Sequence, residues 1–290
     1  MIIRYFLVII SDLTIWHLYY NMCFEDTKGI GFMNIETGYS VLLSKETEKI
    51  KQLDCNFISM LENYKVNEWT IPSLIDGQIL RRCGYFSTLP NHLTKVGFIK
   101  RNRLQVVTDN HSDISCDDID NTSNTYLTPA ACLHLYPMLE KYPIHNEVIT
   151  TLAKVYRYEN GNFTSKERQW EFSVREFVAV GNIEYVKTFL EEMEKKLYNY
   201  ALTLYNSISV EYANDHFYPT KQNEIKSRFQ LKNKLKRELI VNCDKQRLAI
   251  SSFNYHEYHF SKEFNFDNNE EIVTGCVGCG LERWLRFMEV

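Results

Sequence analysis

The second half of the chain carries four runs rich in β-branched and aromatic residues: Lys154 to Glu159, Trp170 to Val180, Leu248 to Tyr255 and Glu271 to Val277. This cluster limits the fold more than any other feature. The polar turn Asn160 to Arg168 separates the first two runs and predicts an antiparallel hairpin. Between the hairpin and the later strands, Val186, Phe189, Leu190, Met193, Leu197, Ala201 and Leu204 recur at helical spacing, with Glu191, Glu192, Lys195 and Lys196 on the other side. That periodicity predicts a core-packing helix over Ile183 to Tyr205. The last strand is expected to run through glycines into a helix at Leu281 to Met288. Antiparallel strands with helices segregated around them mean α+β. No Gly-rich loop follows an early strand, so neither a P-loop nor a dinucleotide fingerprint is available.

The 33 Lys and Arg against 37 Asp and Glu give a formal charge of −4, which argues against holding nucleic acid by bulk electrostatics. Eight cysteines, Cys23, Cys55, Cys83, Cys116, Cys132, Cys243, Cys276 and Cys279, lie without dense pairing, the pattern of reduced thiols in a cytoplasmic protein. Met1 to Tyr20 holds one short apolar run, Tyr5 to Ile10, too short to span a bilayer, and reads as a buried strand or helix end. No membrane association is expected. With no repeat or linker, residues 1–290 are expected to form a single domain. Thr108 to Thr125, with Asp109, Asp113, Asp117, Asp118 and Asp120, reads as a solvated acidic loop. Lys221 to Arg237 reads as a helix with a basic face, on which Lys232 and Lys236 are candidates for docking an acidic partner; the alternative is an ordinary solvated face.

Alternation along the second hairpin strand puts Phe172, Val174, Glu176, Val178 and Val180 on one face and Glu171, Ser173, Arg175 and Ala179 on the other. Glu176 is thus a carboxylate on an apolar face. An ionised carboxylate there is costly unless it is paired, coordinated or left in a polar cavity, or unless a strand-end bend lets it reach water. On the partner strand Val155, Arg157 and Glu159 share a face beside the loop that carries Lys166 and Arg168. Such a group suits a polyanion plus an amine-bearing base, since Arg offers a fork of donors to phosphate and Glu accepts from an exocyclic amine. It equally suits a cross-strand charge cluster. Thr274 to Trp284 combines glycines that admit a close ligand with Arg283 in the first turn of a helix, a natural phosphate site. Cys276-Val277-Gly278-Cys279 is a CxxC with no second CxxC to close a zinc ribbon.

Tyr156 to Glu159 with Arg168 to Gly181 resembles motif 2 of class II aminoacyl-tRNA synthetases, and Gly278 to Arg283 resembles motif 3. More narrowly, Leu127 to Cys132, Arg175 to Val178, Ser252 to His256 and Thr274 to Cys276 are similar to the amino acid:carrier protein ligases, relatives of the atypical zinc-dependent seryl-tRNA synthetases. The likeness runs from about Glu68 to the C-terminus and leaves 1–67 as a weakly matched N-terminal extension.

The resemblance implies a class II antiparallel sheet flanked by helices and a homodimer. It also implies a zinc held by Cys132, Glu176 and Cys276, with Cys279 the rival thiol. ATP would be bound by Arg157 at the α-phosphate, Glu159 at the adenine amine and Arg283 at the γ-phosphate, with Arg168, Glu238 and Asn254 as further candidates and Mg²⁺ bridging the phosphates. The expected function is ATP-dependent activation of a small amino acid and transfer to the phosphopantetheine thiol of a carrier protein. tRNA is not expected as acceptor, because no segment resembles a long tRNA-binding arm. The alternatives are aminoacyl transfer to tRNA or to a small molecule or peptide, and an inactive synthetase-like binding subunit. The chain departs from the family at Asp215-His216-Phe217-Tyr218, where Asp-Pro-Phe-Phe is usual, and at Cys279, where an aromatic residue is usual.

Overall fold

The structure is a computed structural model that describes residues 38–110, 114–159, 163, 168–243, 246–267, 271–286 and 288. The expected N-terminal apolar segment, Cys23, Asp113 and Lys166 lie outside the described residues.

Eleven strands are described: β1 Val66–Glu68, β2 Leu74–Asp76, β3 Phe98–Ile99, β4 Ile119–Asp120, β5 Thr125–Leu127, β6 Glu147–Tyr156, β7 Glu171–Gly181, β8 Ile208–Tyr212, β9 Lys236–Cys243, β10 Gln246–Glu257 and β11 Val273–Gly280. The helices are α1 Ser44–Ser59, α2 Gly77–Arg82, α3 Tyr85–Thr88, α4 Leu104–Asn110, α5 Tyr136–Leu139, α6 Ile183–Leu204, α7 Lys221–Lys232, α8 His259–Glu263 and α9 Leu281–Arg286. Seven strands form one sheet in the order β1-β6-β7-β11-β10-β9-β8. All its neighbours are antiparallel except β1 and β6, which run parallel at one edge. The fold is α+β, as the clustered strands predict.

Helix α6 covers one face of this sheet. Asn182 caps it, its side chain accepting from the Tyr185 amide at 2.8 Å. Phe189, Met193 and Leu197 are fully buried against Phe177, Phe253 and Val277, and Phe57 from α1 and Trp284 from α9 complete the layer. Burial of each such side chain contributes about 1.5–3 kcal/mol. The Trp284 indole N–H donates to Ser251 Oγ at 3.0 Å, so its polar edge is satisfied inside the core. The described part of the N-terminal extension belongs to this architecture: Leu53, Phe57 and Leu61 are core residues and β1 extends the sheet.

Several sequence expectations shift. The hairpin forms, but its first strand starts at Glu147 and ends at Tyr156, so Arg157 and Glu159 lie past the strand, with Glu159 at φ 47°. The expected helix Lys221 to Arg237 stops at Lys232, and Lys236 and Arg237 begin β9. The last strand runs from Val273 to Gly280 and its helix from Leu281 to Arg286. The acidic stretch is more ordered than a solvated loop: Asp118 is 4% exposed, accepts from the Ser115 amide and hydroxyl and pairs with Arg103, and β4 pairs with β3.

Candidate functional site

The face of the sheet opposite α6 carries polar groups in register. Lys236 on β9 faces Asn254 on β10, which faces Cys276 on β11, which faces Val178 on β7. One step along, Glu238 faces Ser252, then Gly278, Glu176 and Thr151. Because side chains alternate at period two, these even positions of β7, β9, β10 and β11 share one side. All of them but Val178 form the floor of a cavity of about 670 Å³, lined also by Tyr85, Cys132, Arg157, Asp215, His256 and Arg283.

At one end of the floor Cys132, Glu176 and Cys276 are all buried, and their ligand atoms lie within 4.8 Å of one another. Cys132 arrives from the short turn Ala131–His134, Glu176 from β7 and Cys276 from β11. Burial pushes the Glu176 carboxyl up to about 7, against the opposing pull of the Cys276 hydrogen bond and of Arg157. The hydrogen bond with Cys132, burial and the Glu176 charge push the Cys276 thiol well above its ordinary value. The Glu176 carboxyl and the Cys276 thiol are both held above their ordinary values, so the pocket disfavours their anionic forms without a cation, and two thiols with a carboxylate are a zinc-type donor set. Gly278 leaves room for it, since a Cβ there would meet Glu176 Oε2 at 3.1 Å. The donors therefore fit a metal ion. Cys279 does not join them: three residues along the strand from Cys276 it faces α6, fully buried, and accepts from Ser251 Oγ at 3.2 Å.

Arginines converge at the other end. Arg157 Nε donates to the Pro129 carbonyl at 2.9 Å, and its guanidinium lies 5.4 Å from the Phe172 ring centroid, so its direction is set before any ligand arrives. Arg283, at the third position of α9, donates to the Ala249 carbonyl at 3.0 Å. Burial, with Arg157 next, lowers the Arg283 pKa, although a guanidinium remains charged. Crowded cations lining a polar cavity are relieved by a polyanion. Glu159 and Arg168 pair with each other at 3.1 Å and are not among the described residues that line the cavity.

Lys236 does not join Lys232 on a docking face. It is half-buried between Asp215 Oδ1 at 2.9 Å and Glu238 Oε1 at 3.0 Å, on the cavity wall. The expected basic face therefore loses this member, because the helix ends four residues before it. Asp215 and Phe217 of the departing segment line the cavity, so that departure falls on the site itself. Thr128 is fully buried, its hydroxyl donating to the Pro72 carbonyl at 3.2 Å and lying 2.9 Å from His134 Nε2, which holds it away from the cavity.

Nothing in the sequence signals that Lys236 lines the cavity, because the basic run continues into β9 without a break in composition.

Sheet and flanking helices have the class II aminoacyl-tRNA synthetase-like fold. Comparison with solved structures gives the same fold: the M. kandleri SerRS in complex with A. aeolicus tRNASec superposes with a TM-score of 0.72 at 19% identity, over 86% of this chain and 53% of that one. The Giardia lamblia prolyl-tRNA synthetase in complex with prolyl-adenylate gives 0.61 at 12% identity, over 87% and 48%. No protein-family model matches the chain. Among curated proteins it is 28% identical over 222 residues to amino acid–acyl-carrier-protein ligase 1 of Bradyrhizobium diazoefficiens, covering 73% of this chain and 67% of that protein. It is 27% identical to ligase 2 of the same organism, covering 73% and 66%. It is also 26% identical over 242 residues to the type-2 serine–tRNA ligase of Methanococcus aeolicus, covering 76% of this chain and 46% of that protein. The matched regions thus span about two thirds of the two carrier-protein ligases. The resemblance first carried by the motif residues extends over most of the chain, and these relatives are enzymes of the ligase class. Among the described residues no helix is long and apolar enough to cross a membrane.

Proposed function

We propose that the chain activates a small amino acid with ATP and transfers it to the phosphopantetheine thiol of a carrier protein. The observation that carries the reading is one cavity holding the Cys132–Glu176–Cys276 cluster at one end and Arg157 and Arg283 at the other. Such a cavity suits a substrate with an amine at one end and phosphates at the other. The names of the Bradyrhizobium relatives supply the acceptor. A carboxylate oxygen of the amino acid bonds to the α-phosphorus as the bond to pyrophosphate breaks. The carrier's sulfur then bonds to the carbonyl carbon as the bond to AMP breaks, the thiol proton passing to solvent.

In this reading Arg157 holds the α-phosphate, with little reorganisation because Pro129 and Phe172 already fix it. Arg283 holds the terminal phosphates, and Glu159, braced by Arg168, accepts from the adenine amine. Glu238 and Asn254 face the nucleotide or its Mg²⁺. A zinc ion on Cys132, Glu176 and Cys276 would supply an open coordination position for the neutral amine of the amino acid. The homodimer belongs to the same reading, and bulk tRNA does not. Glycine or alanine is the substrate size expected.

Pyrophosphate exchange across the amino acids tests the first half. Arg157→Ala and Arg283→Ala should each lower it about a hundredfold to a thousandfold. Unchanged exchange in both folded variants removes the proposed roles. Intact-mass detection of an aminoacyl thioester on holo carrier, with apo carrier and bulk tRNA in parallel, tests the second half. Charging of tRNA instead assigns the other acceptor.

A further inference from the structure

The proposed reaction gives Glu238 a task but none to the three side chains that stand behind it, Lys236, Asp215 and Gln230. Gln230, in the last turn of α7, holds Asp215 from two sides: its Nε2 donates to Asp215 Oδ2, and its Oε1 accepts from the Asp215 amide, both at 2.9 Å. Asp215 Oδ1 accepts in turn from Lys236 Nζ at 2.9 Å. The same ammonium lies 3.0 Å from Glu238 Oε1. Lys236 and Glu238 are two residues apart on β9, so the pleat turns both toward the cavity that all four side chains line. An unbroken series of contacts thus runs from α7 to the cavity floor.

Without that series Glu238 is badly placed. Glu211 stands directly opposite it across the β8/β9 pair, and a like charge there is destabilising. Glu211 pairs with Arg247 and gives Glu238 no support. The nucleotide that Glu238 would face is a polyanion, which repels a lone carboxylate. The Lys236 ammonium answers both problems: its charge offsets the carboxylate, and its hydrogen bond takes one oxygen and leaves the other for the ligand. A lysine side chain is flexible and loses much rotamer freedom when held. Here Asp215, itself clamped by Gln230, fixes the ammonium before any ligand arrives. We propose that Lys236 is a positioning residue for Glu238, its ammonium anchored by Asp215 and Gln230 and holding the Glu238 carboxylate toward the nucleotide. This inference rests on the nucleotide reading of Glu238.

The test is calorimetric binding of a non-hydrolysable ATP analogue to the full chain, so that turnover plays no part. Lys236→Ala should weaken binding about tenfold or more, the loss typical of a hydrogen bond between charged groups. Propylammonium added to that same sample fits the space of the missing side chain and should restore most of the affinity. Tetraethylammonium, of equal charge but too bulky to enter, should not. Because rescue is read within one protein, a general loss of folding cannot imitate it. The discriminating measurement is a double-mutant cycle with Glu238→Gln. If Lys236 acts through Glu238, Lys236→Ala should cost less than about twofold once Glu238 is replaced. A lysine that only braced the wall, or only attracted phosphate, would cost the same in both backgrounds. Equal losses in the two backgrounds, no loss in Lys236→Ala, or a loss that propylammonium does not reverse each overturn the inference. If wild type does not bind the analogue, or Glu238→Gln binds it as wild type does, the nucleotide reading itself has failed and the inference falls with it.

Discussion

Arg175 and Glu176 are adjacent on β7, and the pleat sends them to opposite faces with opposite electrostatic solutions. Arg175, 2% exposed, pairs with both carboxylate oxygens of Asp54 at 2.6 and 2.7 Å and with Glu68 at 3.0 Å. Glu176 has no ion pair among the described residues and faces two thiols instead. Alternation alone marked Glu176 as out of place. Nothing local marked Arg175, because Asp54 lies 121 residues away and only the docking of α1 joins them. Asp54→Ala leaves a buried guanidinium with Glu68 at 3.0 Å and the Thr150 hydroxyl at 3.3 Å as partners, so the cost should sit near the low end of the about 3–5 kcal/mol seen when one member of a buried pair is removed. The urea midpoint reads this, and a midpoint equal to wild type would show that the pair contributes nothing. His92 is a second residue with a thermodynamic signature. Burial, with Arg157 next in effect, holds its imidazole down to about 3, against about 6.5 in an unfolded chain. The unfolded state therefore takes up a proton that the folded state refuses. That contribution is fully present above about pH 6.5 and is lost as pH falls from there toward 3, at about 1.4 kcal/mol per pH unit. His92→Asn should flatten the slope of unfolding free energy against pH in that window. The same slope in both proteins would place the titration elsewhere.

Helix α7 shows where element boundaries escape the sequence. The Lys and Arg run continues through Lys236 without a change of composition, yet the helix closes in a Schellman turn: the Lys234 amide donates to the Leu231 carbonyl at 3.2 Å and the Leu235 amide to Gln230 at 3.0 Å. Lys234 stands at φ 54°, where glycine is usual, and no glycine announces the stop. The hairpin was legible in type for the opposite reason, since its polar turn separates two β-rich runs. Its first strand was misplaced because Val148 to Ala153 pairs with β7 whether or not the alternation is clean. The two lysines of the basic run now carry different expectations. Lys232 is exposed at the end of α7, near Ile225 and Phe229, which are 68% and 52% exposed on the same helix. Lys232→Glu should spare pyrophosphate exchange and slow thioester formation on an acidic carrier, with the difference shrinking as salt rises. Lys236→Glu should abolish both, because a third carboxylate would then stand between Asp215 and Glu238. Equal effects of the two substitutions on exchange would contradict the placement of Lys236 in the cavity.

At the scale of the molecule, one sheet serves two tasks, with the α6 face supplying the apolar core and the opposite face a row of polar groups. The motif residues made the class II fold legible, and they named Arg157, Glu176, Cys276 and Arg283 from separate stretches of chain. What they could not give is the register that sets Asn254 against Cys276 and Glu238 against Ser252, since register is a property of paired strands and not of any one of them. The proposed metal cluster ties those levels together. Its donors come from the turn after β5, from β7 and from β11, so an ion held there links the sheet to the segment that precedes β6. An ion that binds only the folded chain stabilises it by mass action. Free Zn²⁺ at about a thousandfold above its dissociation constant contributes about 4 kcal/mol. For a chain of this size that is on the order of ten degrees in Tm. Dialysis against a chelator should therefore lower Tm by about that amount and added Zn²⁺ should restore it, while Cys132→Ser should melt at one temperature with or without the metal. A wild-type Tm that chelation leaves unmoved would remove the ion from both the fold and the proposed chemistry, leaving Cys132, Glu176 and Cys276 as a buried polar cluster with no metal role.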